Sequence, residues 1–136
     1  MNKYYIDTCI WRDYFEKRKD KNVNLGRFAF SFLLKILKKE DLIMVSDLLV
    51  YELKKTFSEK EIRSLFLIFD AFRVEIFSSN KQIIEALEIS SMRKVPFGDV
   101  LHAILSRDSC SVLVTRDRHF KKLKDISESK RPEDLT

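Results

Sequence analysis

The feature that most narrows the fold is an alternation. Short apolar runs without helical periodicity are separated by longer stretches whose apolar residues recur at i, i+3, i+4 and i+7. Residues 3–6 form the first such run, which stops at Asp7. Residues 42–45 form the second, residues 73–77 alternate apolar and polar as a third, and residues 110–115 form the fourth. Helix signals lie between them. Ile10, Trp11, Tyr14 and Phe15 predict a helix from Thr8 to about Lys19, grading into a charged loop over residues 17–24. The apolar stripe from Leu25 to Leu37 closes on Lys38 and Lys39, which suit the negative end of a helix. Ser46 caps a helix running through Lys55. Ser58 and Glu61 form a capping box ahead of Ile62, Leu65, Phe66 and Phe69. Ser78, Ser79 and Asn80 cap another helix to about Arg93, and Phe97 to Leu105 forms one more. A short edge strand near Ile126 and a helical turn at Pro132 are expected in the polar remainder. Strands separated by helices need crossover connections, which give a parallel sheet covered on both faces. The predicted fold is α/β: a three-layer α/β/α sandwich around a mostly parallel sheet of four to five strands. Residues 1–136 are expected to form a single domain.

Composition decides what such a fold can do with phosphate. The 136 residues include two glycines, against roughly nine or ten at an average usage of about 7%. There is no Walker-type loop and no G-x-G-x-x-G turn, which excludes backbone phosphate cradles. Side chains or a metal must do that work. Cys9 and Cys110 are too few for a disulfide scaffold and follow no C-x-x-C spacing, which predicts free, largely buried thiols suited to a reducing compartment. With His102 and His119 as the only histidines, a Cys/His zinc site is not expected. No apolar run reaches the ~18–20 residues that span a bilayer, and residues 1–4 open no apolar signal region. A cytoplasmic protein without membrane contact is therefore expected. The net charge of +5 permits a polyanionic partner without requiring one.

In an open α/β sheet, ligands sit beyond the carboxyl ends of the strands. Four acids fall there. Asp7 directly follows the first strand, and Asp117 stands two residues past Thr115 at the end of the fourth. Glu52 lies on the helix that the second strand feeds, and Asp99 lies in the first turn of the helix before the fourth. Taken singly, each has an ordinary explanation: Asp7 as a helix cap, Asp99 as a favourable charge at a helix N-terminus, Asp117 as a turn residue. Glu52 is harder to set aside. Leu48 and Leu49 stand one turn before it, so its carboxylate adjoins the apolar stripe and needs a partner, either a basic side chain or a metal. Two carboxylates ~4 Å apart repel by roughly 4 kcal/mol at an effective dielectric near 20. A cluster of four therefore calls for a cation, and an oxygen-only ligand set suits Mg²⁺ or Mn²⁺.

These residues resemble the motifs of PIN-domain ribonucleases. Tyr4-Tyr5-Ile6-Asp7-Thr8 is similar to the family's opening strand and first acid. The stretch from Val45 to Leu53 resembles its Ser-capped helix carrying a Glu, Phe97-Gly98-Asp99 resembles its helix-opening Asp, and Val112 to Phe120 resembles its strand followed by Thr-x-Asp. The four motifs stand in family order over nearly the whole chain, and the size is similar to the toxin half of VapBC-type toxin–antitoxin pairs. The resemblance implies a Mg²⁺- or Mn²⁺-dependent endoribonuclease that leaves a 5′-phosphate and a 3′-hydroxyl. It implies Asp7, Glu52 and Asp99 as core metal acids and Asp117 as a more variable fourth. Thr115 would orient water or a ligand, with Thr8 supporting the acids from behind. Cys9 departs from the Asn that many members carry there.

An RNA substrate asks for bases, and Arg12, Arg93, Lys94, Arg116 and Arg118 are the candidates nearest the expected mouth. His119 is expected at the surface and His102 without a role. Phe30 and Leu34 on the helix from Leu25 to Leu37, and Leu67 and Ile68 on the helix from Ile62 to Phe69, carry the apolar arc past one core face. They predict a homodimer face or a groove for an antitoxin helix, with burial inside the fold as the alternative. Other functions considered fit less well. An aspartyl-phosphate phosphatase expects Asp-x-Asp where Asp7-Thr8-Cys9 stands, and a receiver expects paired acids there. An RNA-maturation nuclease would share the chemistry, and a non-catalytic scaffold would be expected to lack an acid.

Overall fold

Strand β1 (Lys3–Ile6) is apolar on both faces because it lies at the centre of a five-stranded sheet, with β4 (Leu42–Ser46) and β6 (Val112–Val114) on either side. The computed structural model describes residues 1–17, 19–20 and 23–136, with the backbone alone for residues 19, 20 and 23. After β1 come α1 (Thr8–Glu16), the short strands β2 (Lys19–Asp20) and β3 (Val23–Asn24), and α2 (Leu25–Lys39). Then follow β4 (Leu42–Ser46), α3 (Asp47–Leu53), α4 (Glu59–Leu67) and β5 (Arg73–Ile76). The chain continues through α5 (Asn80–Arg93), α6 (Phe97–Asp108), β6 (Val112–Val114) and β7 (Ser129–Lys130). Short 3₁₀ turns at Asp70–Phe72, Arg118–Leu123 and Pro132–Asp134 complete the described elements. The sheet order is β5-β4-β1-β6-β7, and every pair in it is parallel. This is the expected α/β/α sandwich.

The two faces of β1 feed two cores, as the two-residue period of a strand requires. Tyr4 and Ile6 face α1 to α4, joining Trp11, Phe32, Leu49 and Phe66. Trp11 meets Phe66 edge-on at 5.0 Å and Phe69 at 5.7 Å, and its Nε1 donates to the Ile6 carbonyl at 3.1 Å. Such aromatic pairs add about 0.5–1.5 kcal/mol each beyond the area they bury. Tyr5 faces the other side, with Val100, Ile104 and Phe120. Among the described residues, no helix is long and apolar enough to cross a membrane.

Several boundaries differ from the sequence expectation for identifiable reasons. Helix α1 stops at Glu16 because Lys17 turns left-handed (φ 50°) and returns its N–H to the Asp13 carbonyl. Gly26 makes that corner possible, since a Cβ there would stand 2.8 Å from Asp13 O and from Lys17 Cα. The predicted loop over residues 17–24 falls partly outside the described residues, and its described part pairs as the β2–β3 hairpin. The last strand is not at Ile126, whose side chain packs into the core. It is β7, three residues on, where Lys130 O accepts from Thr115 N at 2.9 Å. Cys9 is half-buried, but Cys110 is exposed, contrary to the buried thiol expected, because it forms a left-handed turn (φ 54°) ahead of β6.

Candidate metal centre

The carboxyl ends of β1, β4 and β6 open on one edge of the sheet, and the four acids approach that edge from four different elements. Asp7 ends β1 and caps α1, its Oδ1 accepting from Thr8 N at 2.8 Å. The capping and site roles therefore coexist in one side chain. Ser46 ends β4 and caps α3 by accepting from Leu49 N at 3.0 Å, which sets the helix that carries Glu52 in its last turn. Asp99 stands in the first turn of α6, which opens on Pro96 without a side-chain cap. Asp117 follows β6 and caps the turn at Arg118–Leu123, accepting from His119 N at 2.9 Å.

Neutral and weakly acidic donors link these acids into one chain of contacts. Thr8 Oγ1 donates to Glu52 Oε1 at 2.5 Å while its N–H holds Asp7. Thr115 Oγ1 donates to Asp7 Oδ2 at 2.8 Å and accepts from Asp117 N at 3.0 Å. The Thr115 hydroxyl thus braces two acids, rather than standing open for water. The Cys9 thiol lies 3.3 Å from Asp7 Oδ2, and burial raises its pKa, so it stays a neutral donor. His119 Nδ1 stands 2.9 Å from Asp99 Oδ2 and 3.2 Å from Asp117 Oδ1. His102 Nε2 stands 2.7 Å from Glu52 Oε1 and 3.7 Å from Asp7 Oδ1. Two compact groups result: Asp7, Glu52 and His102, and Asp99, Asp117 and His119.

His102 departs from the sequence expectation, while His119 lies at the surface as expected. His102 lies fully inside the protein, and His119, although at the surface, spans two acids. The spacing held a signal for the first: His102 is one helical turn from Asp99 and so shares its face of α6.

The electrostatics differ between the groups. Burial pushes the Glu52 carboxyl up, but the hydrogen bonds from His102 and Thr8 outweigh it and leave it below its ordinary value. Burial and then the Asp117 charge push Asp99 up to about 6, against the weaker opposing bond from His119. Burial would lower the His102 pKa, and its bond to Glu52 with the charges of Asp7 and Asp99 raises it instead. The two groups therefore feel each other's charge. Each group gathers ligand atoms within 4.8 Å of one another, and a Glu52 Oε2 that takes no hydrogen bond from the described residues is an oxygen suited to a divalent cation.

The predicted bases separate on geometry. Arg12 pairs with Glu16 at 3.7 Å, Arg93 makes a bidentate pair with Asp125 at 2.8 Å, and Lys94 forms the left-handed cap of α5. Arg116 is held by Asp13 at 3.2 Å and Glu133 at 2.7 Å. Arg116 and Arg118 line a groove of roughly 790 Å³ that also touches Thr115 and Asp117. The sequence reading missed the other bases of that groove, Lys121, Lys124, Lys130 and Arg131.

Comparison with known proteins places this geometry. The structure of VapBC2 from Rickettsia felis, bound to a DNA fragment from its promoter, superposes with a TM-score of 0.67 at 18% identity, covering 95% of this chain and 98% of that one. FitAcB from Neisseria gonorrhoeae gives 0.65 at 14% identity, with 97% and 99% covered. PAE2754 from Pyrobaculum aerophilum gives 0.60 at 18% identity, with 98% and 86% covered. At these identities the likeness is one of fold. A search of curated protein sequences finds no match. The sequence profile of the PIN domain matches residues 4–126, which is most of the chain, and the protein belongs to the PIN domain family.

Proposed function

We propose that the protein is a cytoplasmic, divalent-metal-dependent endoribonuclease and the toxin of a VapBC-type pair. The observation that carries this reading is the gathering of Asp7 and Glu52, and of Asp99 and Asp117, in two compact groups at the carboxyl edge of the sheet, with one Glu52 oxygen taking no hydrogen bond from the described residues. These four acids would hold Mg²⁺ or Mn²⁺. Bound there, the ion supplies a Lewis acid and an activated water for attack on phosphorus. Thr8 and Thr115 keep the acids in place. Arg118, Lys121, Lys124 and Lys130 bind the RNA phosphates along the groove beside Asp117, with Arg116 in its wall. No side chain of the cluster needs to act as a nucleophile, and the expected ends are a 5′-phosphate and a 3′-hydroxyl.

The exposure of Phe30, Leu34, Leu67 and Ile68 supports the partner half of the reading. Apolar side chains left in water on α2 and α4 suit an antitoxin helix, and such surface also suits a second copy of the chain. The likeness to VapBC2, a structure that contains promoter DNA, is in keeping with this.

The deciding experiment incubates purified protein with single-stranded and structured RNA, in Mn²⁺ or in EDTA, beside Asp7→Asn and Asp99→Asn. Cleavage is expected in Mn²⁺ only and in neither variant. Cleavage that persists in EDTA or in both variants sinks the mechanism. Growth arrest on expression, relieved by Asp7→Asn or by a co-expressed small partner, separates a toxin from an RNA-maturation nuclease.

A further inference from the structure

One buried polar pair has no part in the reading above. Tyr5 lies in the central strand with no exposed surface, and His102 lies on α6 with 1% exposure. Groups so deep must be hydrogen-bonded to be tolerated, and the chemistry of their partners fixes the direction of those bonds. A carboxylate accepts only, so His102 Nε2 carries the proton that it shares with Glu52 Oε1 at 2.7 Å. The other ring nitrogen, Nδ1, stands 2.6 Å from the Tyr5 hydroxyl, which is itself 2.6 Å from Ser46 Oγ. Ser46 is the cap of α3, the helix that carries Glu52. The path therefore starts at the root of that helix, crosses the core through Tyr5 and His102, and returns to the helix at Glu52.

The return is selective between the two oxygens of Glu52. Oε1 receives both protein donors, His102 Nε2 and Thr8 Oγ1, and Oε2 receives none among the described residues. Gly98 explains how Oε2 stays open. It stands in the first turn of α6, one turn ahead of His102, and a Cβ there would lie 3.1 Å from Oε2. A single helix thus supplies the donor that holds one oxygen and the clearance beside the other.

We propose that His102 is a positioning residue of the metal centre: anchored through Tyr5 on Ser46, it holds Glu52 by Oε1 and so presents Oε2 as the ligand oxygen. The inference rests on the metal-centre reading. It assigns the ring nitrogens to Tyr5 and Glu52, not to the ion. A glutamate has three side-chain torsions to freeze, and a donor on one oxygen freezes them before the ion arrives.

The test measures Mn²⁺ binding to the full chain by calorimetry and by the electron paramagnetic resonance of unbound Mn²⁺, with metal-free melting as the control for folding. His102→Leu is expected to weaken binding by roughly 10- to 100-fold, the range for groups that orient metal ligands. His102→Gln keeps an N–H able to reach Oε1 and is expected to recover most of that loss. Tyr5→Phe keeps the ring in the core, removes only the hydroxyl, and is expected to weaken binding to a smaller degree. A folded His102→Leu variant that binds Mn²⁺ like the wild type overturns the proposal. Equal losses in the Leu and Gln variants also overturn it, since they would mark a packing role or a direct ligand. If His102→Leu does not fold, Tyr5→Phe decides, and unchanged affinity there overturns the proposal. A wild-type chain that binds no Mn²⁺ overturns the metal-centre reading itself, and this inference with it.

Discussion

Glu52 and Asp99 invite direct comparison. Their side chains are similarly shielded, at 27% and 18% exposure, and each is bonded to a histidine. Yet Glu52 is held below its ordinary pKa and Asp99 is pushed up to about 6. Depth alone does not produce that difference. Glu52 has two donors on one oxygen and His102 fixed behind it, whereas Asp99 shares a half-exposed His119 with the competing Asp117. Donors, more than burial, decide which carboxylate keeps its charge. Glu52 therefore keeps its charge to lower pH, whereas Asp99 begins to lose its charge as the pH falls through about 6.

The sharpest way to break this contrast is to remove one acid from each group. Asp7→Asn leaves the cap on α1 largely intact, because an amide oxygen still accepts from Thr8 N. It is expected to lower RNA cleavage on the order of 10²–10³-fold, comparable to deleting a preorganised electrostatic contact. Asp117→Asn in the other group is expected to cost clearly less, and single-turnover cleavage rates of the two variants side by side provide the check. Equal losses would show that the groups do not differ as described.

A smaller effect is expected from Gly98→Ala. In the first turn of a helix, alanine raises stability by up to about 1 kcal/mol over glycine. The same methyl would press on Glu52 Oε2 from 3.1 Å. Metal-free melting should therefore hold or rise while Mn²⁺ affinity and cleavage fall. A variant that loses stability and affinity together would point to general disruption of α6.

A further effect depends on pH. The folded-state pKa of Asp99, about 6, lies above the value of about 3.9 for an unperturbed aspartate. Between those values the folded state binds more protons than the unfolded state. The Asp99 contribution to stability is therefore fully present below about pH 4 and is lost as pH rises through about 6. Chemical denaturation of metal-free protein from pH 4 to 7 should show this decline, and Asp99→Asn should flatten it. Saturating Mn²⁺ should offset the decline at the upper end, by about 2.7 kcal/mol when the ion is at 100 times its Kd.

The acids were readable because each stands at a strand end or a helix start, where an α/β sheet gathers polar groups. Alternating strand and helix patterns gave the sheet and its layers for the same local reason. The groove and the relay were harder to see. Arg93 looked available beside Lys94, yet its partner Asp125 is distant in sequence and close in space. Lys121 and Lys124 were not singled out, because only the placement of the turn at Arg118–Leu123 brings them to the groove beside Asp117. Tyr5 read as a core aromatic, which it is, and no periodicity reveals that its hydroxyl meets His102. Ile126 read as strand because it is apolar, whereas pairing with β6 is made by the polar Ser129–Lys130.

The placement of β1 bears on how the acid cluster is assembled. Strand β1 leads directly into Asp7, and its pairing with β6 joins Tyr4 to Val112 and Ile6 to Val114. Closing so long a loop makes this a slow, late contact in folding. Thr115 and Asp117, which complete the cluster, arrive with that same contact. Until β6 docks, the central strand has an unpaired flank and Asp7 lacks the Thr115 donor. The architecture therefore ties completion of the acid cluster to the pairing in the sheet that spans the most sequence.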